Sequence, residues 1–331
     1  MFLLAVLLAL CFSVAEAADD SLWPVGRLAL PSKAVSLEQT PGGPLLRLTD
    51  GSAWTVVWGD NTARLSPASP AMPESAPGLI PDGRVVRGTG SIRRAWLAEP
   101  TAEYDHGILG DGIEAAALKV ETADGVVLSV PAPVGTVFED LSPRLWDLDG
   151  DGDAEAWVIR SGPGEGGRLE AYSVQQGKLA LRFATDPIGL GNRWLNPVGV
   201  ADFTGDGQRE VALVRTPHIG GILIVYRPAG AYLERIGAVP GFSNHAIGSR
   251  QLGLSWIGDI DKDGLADILL PGQSRREMAA FSLAAGGFRI LGAIERTGHI
   301  ETNLVEISTP SAGRAVLFAD DGPALRWLLL P

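Results

Sequence analysis

Cysteine is almost missing from this chain. The single copy, Cys11, lies in the first apolar stretch, so no disulfide can staple the remainder and another device must do that work. Histidine is scarce as well. His106, His218, His245 and His299 stand apart with no HxH or HExxH grouping, which removes support for a zinc centre. No GxSxG elbow, phosphate loop or dinucleotide fingerprint occurs where a strand feeds a helix. The glycine-rich run 162–167 joins two strand candidates and reads as a turn. A basic stripe is lacking too: 27 Lys and Arg stand against 39 Asp and Glu, for a net charge of −12, which argues against nucleic acid as a partner. With no catalytic constellation visible, the expectation from sequence is a protein that is not an enzyme.

Long apolar runs are confined to the start. Phe2 to Val14 is apolar and leads into Ala15-Glu16-Ala17, an A-x-A cleavage pattern, so residues 1–17 read as a secretory signal despite an n-region without Lys or Arg. The run is shorter than the roughly 20 residues a spanning helix needs. Leu10 before Cys11 is too large for a normal lipoprotein cleavage site. The expectation is an exported chain, periplasmic or secreted, with no transmembrane segment after cleavage. Residues 18–331 read as one domain. Within it, residues 66–83 are rich in Pro, Ala and Ser and read as an exposed insertion loop.

What the chain has in quantity is glycine (42), proline (23) and a repeated acidic loop. Asp147-Leu148-Asp149-Gly150-Asp151-Gly152-Asp153-Ala154-Glu155 carries acids at places one, three, five, seven and nine. Asp202-Phe203-Thr204-Gly205-Asp206-Gly207-Gln208-Arg209-Glu210 is a second copy, and Asp259-Ile260-Asp261-Lys262-Asp263-Gly264-Leu265-Ala266-Asp267 a third. A hard divalent cation of calcium's size takes six to eight oxygen ligands from a flexible loop. Places one, three, five and nine would supply side chains. Asp153, Gln208 and Leu265 at place seven would supply a backbone carbonyl, so their side chains are free to vary. Glycine at place six allows the positive φ of a sharp turn. The expected cofactor is Ca2+, at up to three sites. Ordinary Asp/Gly turns are the alternative, weakened by three copies in register; the second copy, with Thr204 in place of a carboxylate, is the weakest. An EF-hand is excluded, because place twelve is Val158, Leu213 or Leu270 and a short β-type run leaves each loop.

Each loop is entered by a short apolar strand and followed by three more strand candidates. Four short antiparallel strands per repeat of 40–60 residues is the sequence form of a propeller blade. The expected fold is therefore all-β: a β-propeller of about six four-stranded blades, within a range of five to seven. Its last blade, with three strands of its own over 303–330, would be completed by the N-terminal strand near Arg27 to Leu30. Residues 104–114 read as a decayed copy, with Gly107 and Leu109 where the first two acids would stand.

Ala201-Asp202-Phe203-Thr204-Gly205-Asp206-Gly207 followed by Glu210-Val211-Ala212-Leu213 resembles the FG-GAP/VCBS repeats of bacterial exported propellers, similar to the N-terminal propeller of integrin α subunits. The resemblance is strongest over 143–296. It implies a calcium loop between the first two strands of a blade, an exported scaffold with ligand-binding surfaces, and no single activity. The expected function is an exported calcium-binding scaffold, monomeric, for a protein or glycan ligand; the alternative is a carbohydrate-binding or carbohydrate-active propeller. Of the tryptophans, Trp194 reads as the best candidate for an exposed sugar contact, and His245 occupies the equivalent loop of the next repeat.

Overall fold

The computed structural model describes residues 25–230, 232–284, 287–295, 298–310 and 313–330. The signal expected at 1–17 lies outside the described residues. Among the described residues all regular structure is β, and no helix is long and apolar enough to cross a membrane.

The N-terminal strand β1 (Val25–Ala29) does not pair with its successor. The next four, β2 (Ala34–Thr40), β3 (Gly43–Leu48), β4 (Ala53–Gly59) and β5 (Thr62–Pro67), form an antiparallel sheet in chain order. A second group follows: β6 (Val86–Arg87), β7 (Ile92–Thr101), β8 (Glu114–Thr122) and β9 (Val127–Pro131). The two-residue β10 (Val137–Phe138) then bridges β8 to β12, so that this group and the next form one nine-stranded sheet. That next group is β11 (Arg144–Trp146), β12 (Glu155–Ser161), β13 (Arg168–Gln175) and β14 (Lys178–Ala184). Two further four-stranded sheets are β15 (Leu195–Ala201) to β18 (Tyr232–Pro240), through β16 (Glu210–Arg215) and β17 (Ile222–Ala229), and β19 (Trp256–Gly258) to β22 (Gly287–Glu295), through β20 (Asp267–Pro271) and β21 (Glu277–Ala284). The last three strands, β23 (Val305–Thr309), β24 (Gly313–Ala319) and β25 (Ala324–Leu330), take β1 as their fourth, in the order β1-β25-β24-β23. Tail and head of the described chain thus share one sheet, and the outer edge that β25 would expose is paired.

Burial explains why the second strand of each repeat is a continuous apolar run. In β12 and β20 every residue is buried, and in β16 all but Arg215. A strand covered on both faces has no reason to alternate. The outermost strands alternate loosely instead, as Tyr232–Pro240 does. Apolar side chains of successive sheets share cores. Leu213 and Ile224 pack with Trp157 and Phe183, Phe281 and Ile268 with Val214 and Val225, and Val316 and Leu328 with Leu269 and Met278. Ala315 and Leu325 pack with Leu37 and Leu46 of the first sheet.

Three strands escape the sequence pattern: Thr62–Pro67, Val127–Pro131 and Val137–Phe138. The first two are outer strands with little buried apolar surface to mark them. The Pro-rich segment after β5 is largely exposed, as its composition suggests, but it is tied down at its end. Leu79 bridges Ala98, Trp96 Nε1 donates to Pro77 O at 3.1 Å, and Ile80 is buried beside Leu97.

Candidate functional site

The three acidic loops each join the first and second strands of a four-stranded group, and their internal bonding is nearly the same. The first aspartate accepts from the N–H of place six: Gly152 to Asp147 at 3.1 Å, Gly207 to Asp202 at 2.9 Å, Gly264 to Asp259 at 3.0 Å. The ninth-place acid accepts from the N–H of place two: Leu148 to Glu155 at 3.0 Å, Phe203 to Glu210 at 2.9 Å, Ile260 to Asp267 at 2.7 Å. Place six has φ of 94°, 86° and 90°. Place four is also left-handed, at 76°, 75° and 63°, and in the third loop that residue is Lys262 rather than glycine. Glycine at both places in the first two copies marks this second turn, and Lys262 masks it in the third.

Carboxylates converge in two of the three loops. Oxygens of Asp147, Asp149 and Asp151 lie within 4.8 Å of one another, and so do those of Asp259, Asp261 and Asp267. Asp153 turns its carboxylate to the N–H of Ser91, at 2.7 Å, and Asp263 accepts from Leu265 N at 2.9 Å. In the third loop Asp259 Oδ1 and Asp267 Oδ1 are sealed from solvent and accept no hydrogen bond of normal geometry. Burial, then the charges of Asp261 and Asp263, push Asp267 up to about 6, while the Ile260 N–H and the Ser282 hydroxyl pull the other way. Burial, then Asp149 and Asp147, likewise raise Glu155 to about 7, against the Leu148 N–H. Converging carboxylates, with Glu155 buried at the floor of the first loop and Asp267 at that of the third, are what a hard cation satisfies. Asp147, Asp149, Asp151 and Glu155 fit Ca2+ in chemistry, as do Asp259, Asp261 and Asp267.

The second loop differs. Asp202, Asp206 and Glu210 form no such group among the described residues. Arg227 on β17 reaches in, 2.6 Å from Glu210 and 2.8 Å from Asp206. Gln208 N donates to Asp206 Oδ1 at 2.9 Å. The decayed copy at 104–114 is held by Arg250, whose Nη2 lies 2.6 Å from Asp111 Oδ2.

At the other end of the same strands a different cluster gathers, which the sequence signals only in part. Trp194 and His245 do meet, with ring centroids 4.8 Å apart. The expectation that Trp194 is an exposed contact is wrong, however. It is 2% exposed, its Nε1 donates to Glu139 O at 3.1 Å, and its ring stacks on His218 at 6.2 Å. An indole whose N–H finds a partner can be buried at little cost. His245 Nε2 lies 2.9 Å from Ser249 O, which can only accept, so that nitrogen carries the proton. Its Nδ1 then accepts from His218 Nε2 at 2.9 Å. Burial, then its neighbour His245, lowers His218 to about 3; burial lowers His245 to about 4.

Beside this pair, His106 Nδ1 lies 2.6 Å from Glu139 Oε1, and Glu139 Oε2 is buried without a partner. Glu114, 1% exposed, is raised to about 9 by burial, then by Glu139, Asp111, Asp140 and Asp82. His106, Trp194 and His218 line a small cleft of about 70 Å³ with Asn192 and Arg193. A carboxyl group whose pKa is raised, within the field of a carboxylate–imidazole pair, is suited to proton transfer. Single scattered histidines and a glutamate next to Ile113 gave no sequence signal for this grouping, because loops far apart in the chain supply it.

No family model matches the chain, and no curated protein does. Solved structures do. One of them, described as "Crystal structure of exotype rhamnogalacturonan lyase YesX", is 15% identical over 89% of this chain and 72% of that one, with a TM-score of 0.41. The expectation from sequence that the chain is not an enzyme does not stand against this neighbour, which is one, and it is withdrawn. A likeness at that score carries no argument about a reaction in this chain.

Proposed function

We propose that the chain is an exported, calcium-stabilised β-propeller of the FG-GAP/VCBS type, a monomeric scaffold that presents loops to a protein or glycan ligand. The observation that carries the calcium reading is the third loop, where Asp259, Asp261 and Asp267 converge and two sealed oxygens accept no hydrogen bond of normal geometry. Ca2+ bound there would neutralise the carboxylates and pin the turn between β19 and β20, a stapling role in a chain with one cysteine. A ring is supported by the β1–β25 pairing and by the cores that successive sheets share. The deciding experiment is thermal unfolding of the purified chain in millimolar calcium, in magnesium and in chelator. A ligand bound only to the folded state at about 100 times its Kd adds roughly 2.7 kcal/mol, or several degrees. A calcium-specific rise supports the reading, and identical midpoints in all three buffers would sink it.

A second reading, a carbohydrate-active propeller, is favoured by the His106–Glu139 pair beside protonated Glu114. Its test is a panel of acidic and neutral polysaccharides assayed for cleavage with wild type, Glu114→Gln and His106→Ala. Turnover that both variants lose supports it; no turnover on any substrate, or turnover that both variants retain, goes against it.

A further inference from the structure

We infer that Arg227 stands in the second loop where the cation stands in the first and third, so that this loop is closed by a side chain and takes no calcium. The inference rests on the calcium reading of the other two loops and revises its number of sites from three to two.

Strand register supplies the argument. Val211 pairs with Tyr226, so Glu210, the ninth-place acid, faces Arg227 one step further along. In the first repeat Ala156 pairs with Tyr172, which sets Glu155 against Ser173. In the third, Ile268 pairs with Phe281, which sets Asp267 against Ser282. One position on the third strand therefore holds serine, arginine and serine. A serine is too short to fill the centre of the loop. An arginine fills it.

Arg227 contacts three of the places that would hold a cation: three, five and nine. Its Nη2 lies 2.6 Å from Glu210 Oε1 and 2.9 Å from Thr204 Oγ1, at places nine and three. The same nitrogen is 2.8 Å from Asp206 Oδ2, at place five, and Nε is 3.2 Å from Glu210 Oε1. Thr204 donates its hydroxyl to Glu210 Oε1 at 3.0 Å. The replacement of an acid by Thr204 and the arrival of Arg227 are thus one change: with a monovalent guanidinium beside Asp202, Asp206 and Glu210, a fourth carboxylate in the loop would be in excess. Arginines also approach the other two loops, but differently. Arg182 reaches Asp149 at 3.0 Å and Arg289 reaches Asp261 at 2.9 Å, each from an outer strand, and Arg209 of the second loop reaches Asp147 Oδ2 at 3.0 Å; none of the three forms an ion pair with Glu155 or Asp267. A calcium ion placed against Arg227 would meet a like charge at ligand distance.

The test is calcium stoichiometry of the purified chain, by equilibrium dialysis with radioactive calcium. Two ions per chain are expected. Three would overturn the inference and leave the calcium reading intact; none would overturn both. Asp206→Asn should leave the count at two, whereas Asp149→Asn and Asp261→Asn should each lower it to one. A fall to one with Asp206→Asn would overturn the inference, and this arm decides the matter even if an Arg227 variant fails to fold. Arg227→Ser, which places in the second repeat the residue found in the other two, should make the second loop calcium-dependent. Its melting point should fall in chelator and recover in calcium by more than wild type does; an unchanged calcium response would count against the proposal.

Discussion

His218 Nε2 donates to His245 Nδ1 across 2.9 Å, so two imidazoles from different loops are held neutral against each other. Both folded values, about 3 and about 4, lie below the ordinary 6.5. A histidine lowered in the folded state takes up its proton first in the unfolded chain. Its contribution is complete above 6.5 and is lost as pH falls toward the folded value. Stability should therefore drop between pH 6.5 and about 4, by up to about 1.4 kcal/mol per pH unit for each ring. Urea midpoints across that range test this, and His218→Gln should flatten the slope.

Glu114 works in the opposite direction. Its folded value of about 9 lies above the ordinary 4.5, so the stability it contributes is present below 4.5 and is lost as pH rises toward 9. Glu114→Gln keeps the shape without the ionisation. The variant should be more stable than wild type at pH 8 by about 1–3 kcal/mol and close to it at pH 4.5. An equal effect at both values would contradict the assignment.

Asp267 should show a crossover with calcium. Raised to about 6 by burial and by Asp261 and Asp263, it is a liability at neutral pH when no cation is present. Asp267→Asn removes that liability together with a ligand. The expected result is a midpoint equal to or above wild type in chelator and several degrees below it in calcium. A variant that melts with wild type in both buffers would show that the third loop is an ordinary turn.

Gly26 lies under the indole of Trp327 in the pair of β1 with β25. A Cβ at Gly26 would come within 1.8 Å of Trp327 Cε2, and the backbone pairing of these two residues leaves no room for relief. Gly26→Val should cost about 1–3 kcal/mol through overpacking and free β1. Limited proteolysis would then cut near residue 30 in the variant while wild type resists.

Much of the architecture was legible in particular residues. Ala156 to Ile159, Val211 to Val214 and Ile268 to Leu270 read as strands because burial on both faces demands an unbroken apolar run. The turns between them read clearly because Gly152, Gly207 and Gly264 take a φ that other residues avoid. Thr62–Pro67 and Val127–Pro131 did not, since an outer strand covers little and alternates weakly. Lys262 at a left-handed position was equally silent, because only its neighbours' geometry requires the turn.

By itself the amino-acid sequence determined the all-β class, the recurrence of four-stranded groups and the acidic loop after the first strand of three of them. Those features are local: burial period, turn chemistry and ligand spacing act over a few residues. Tertiary structure decided which loop holds converging carboxylates and which holds Arg227, because cross-strand register sets the partner of Glu210. It also decided that Trp194 is buried, that His106 meets Glu139, and that the charge of Glu139 acts on buried Glu114. Those contacts join residues far apart in the chain, and no local rule specifies which distant partner a buried N–H or carboxylate will find.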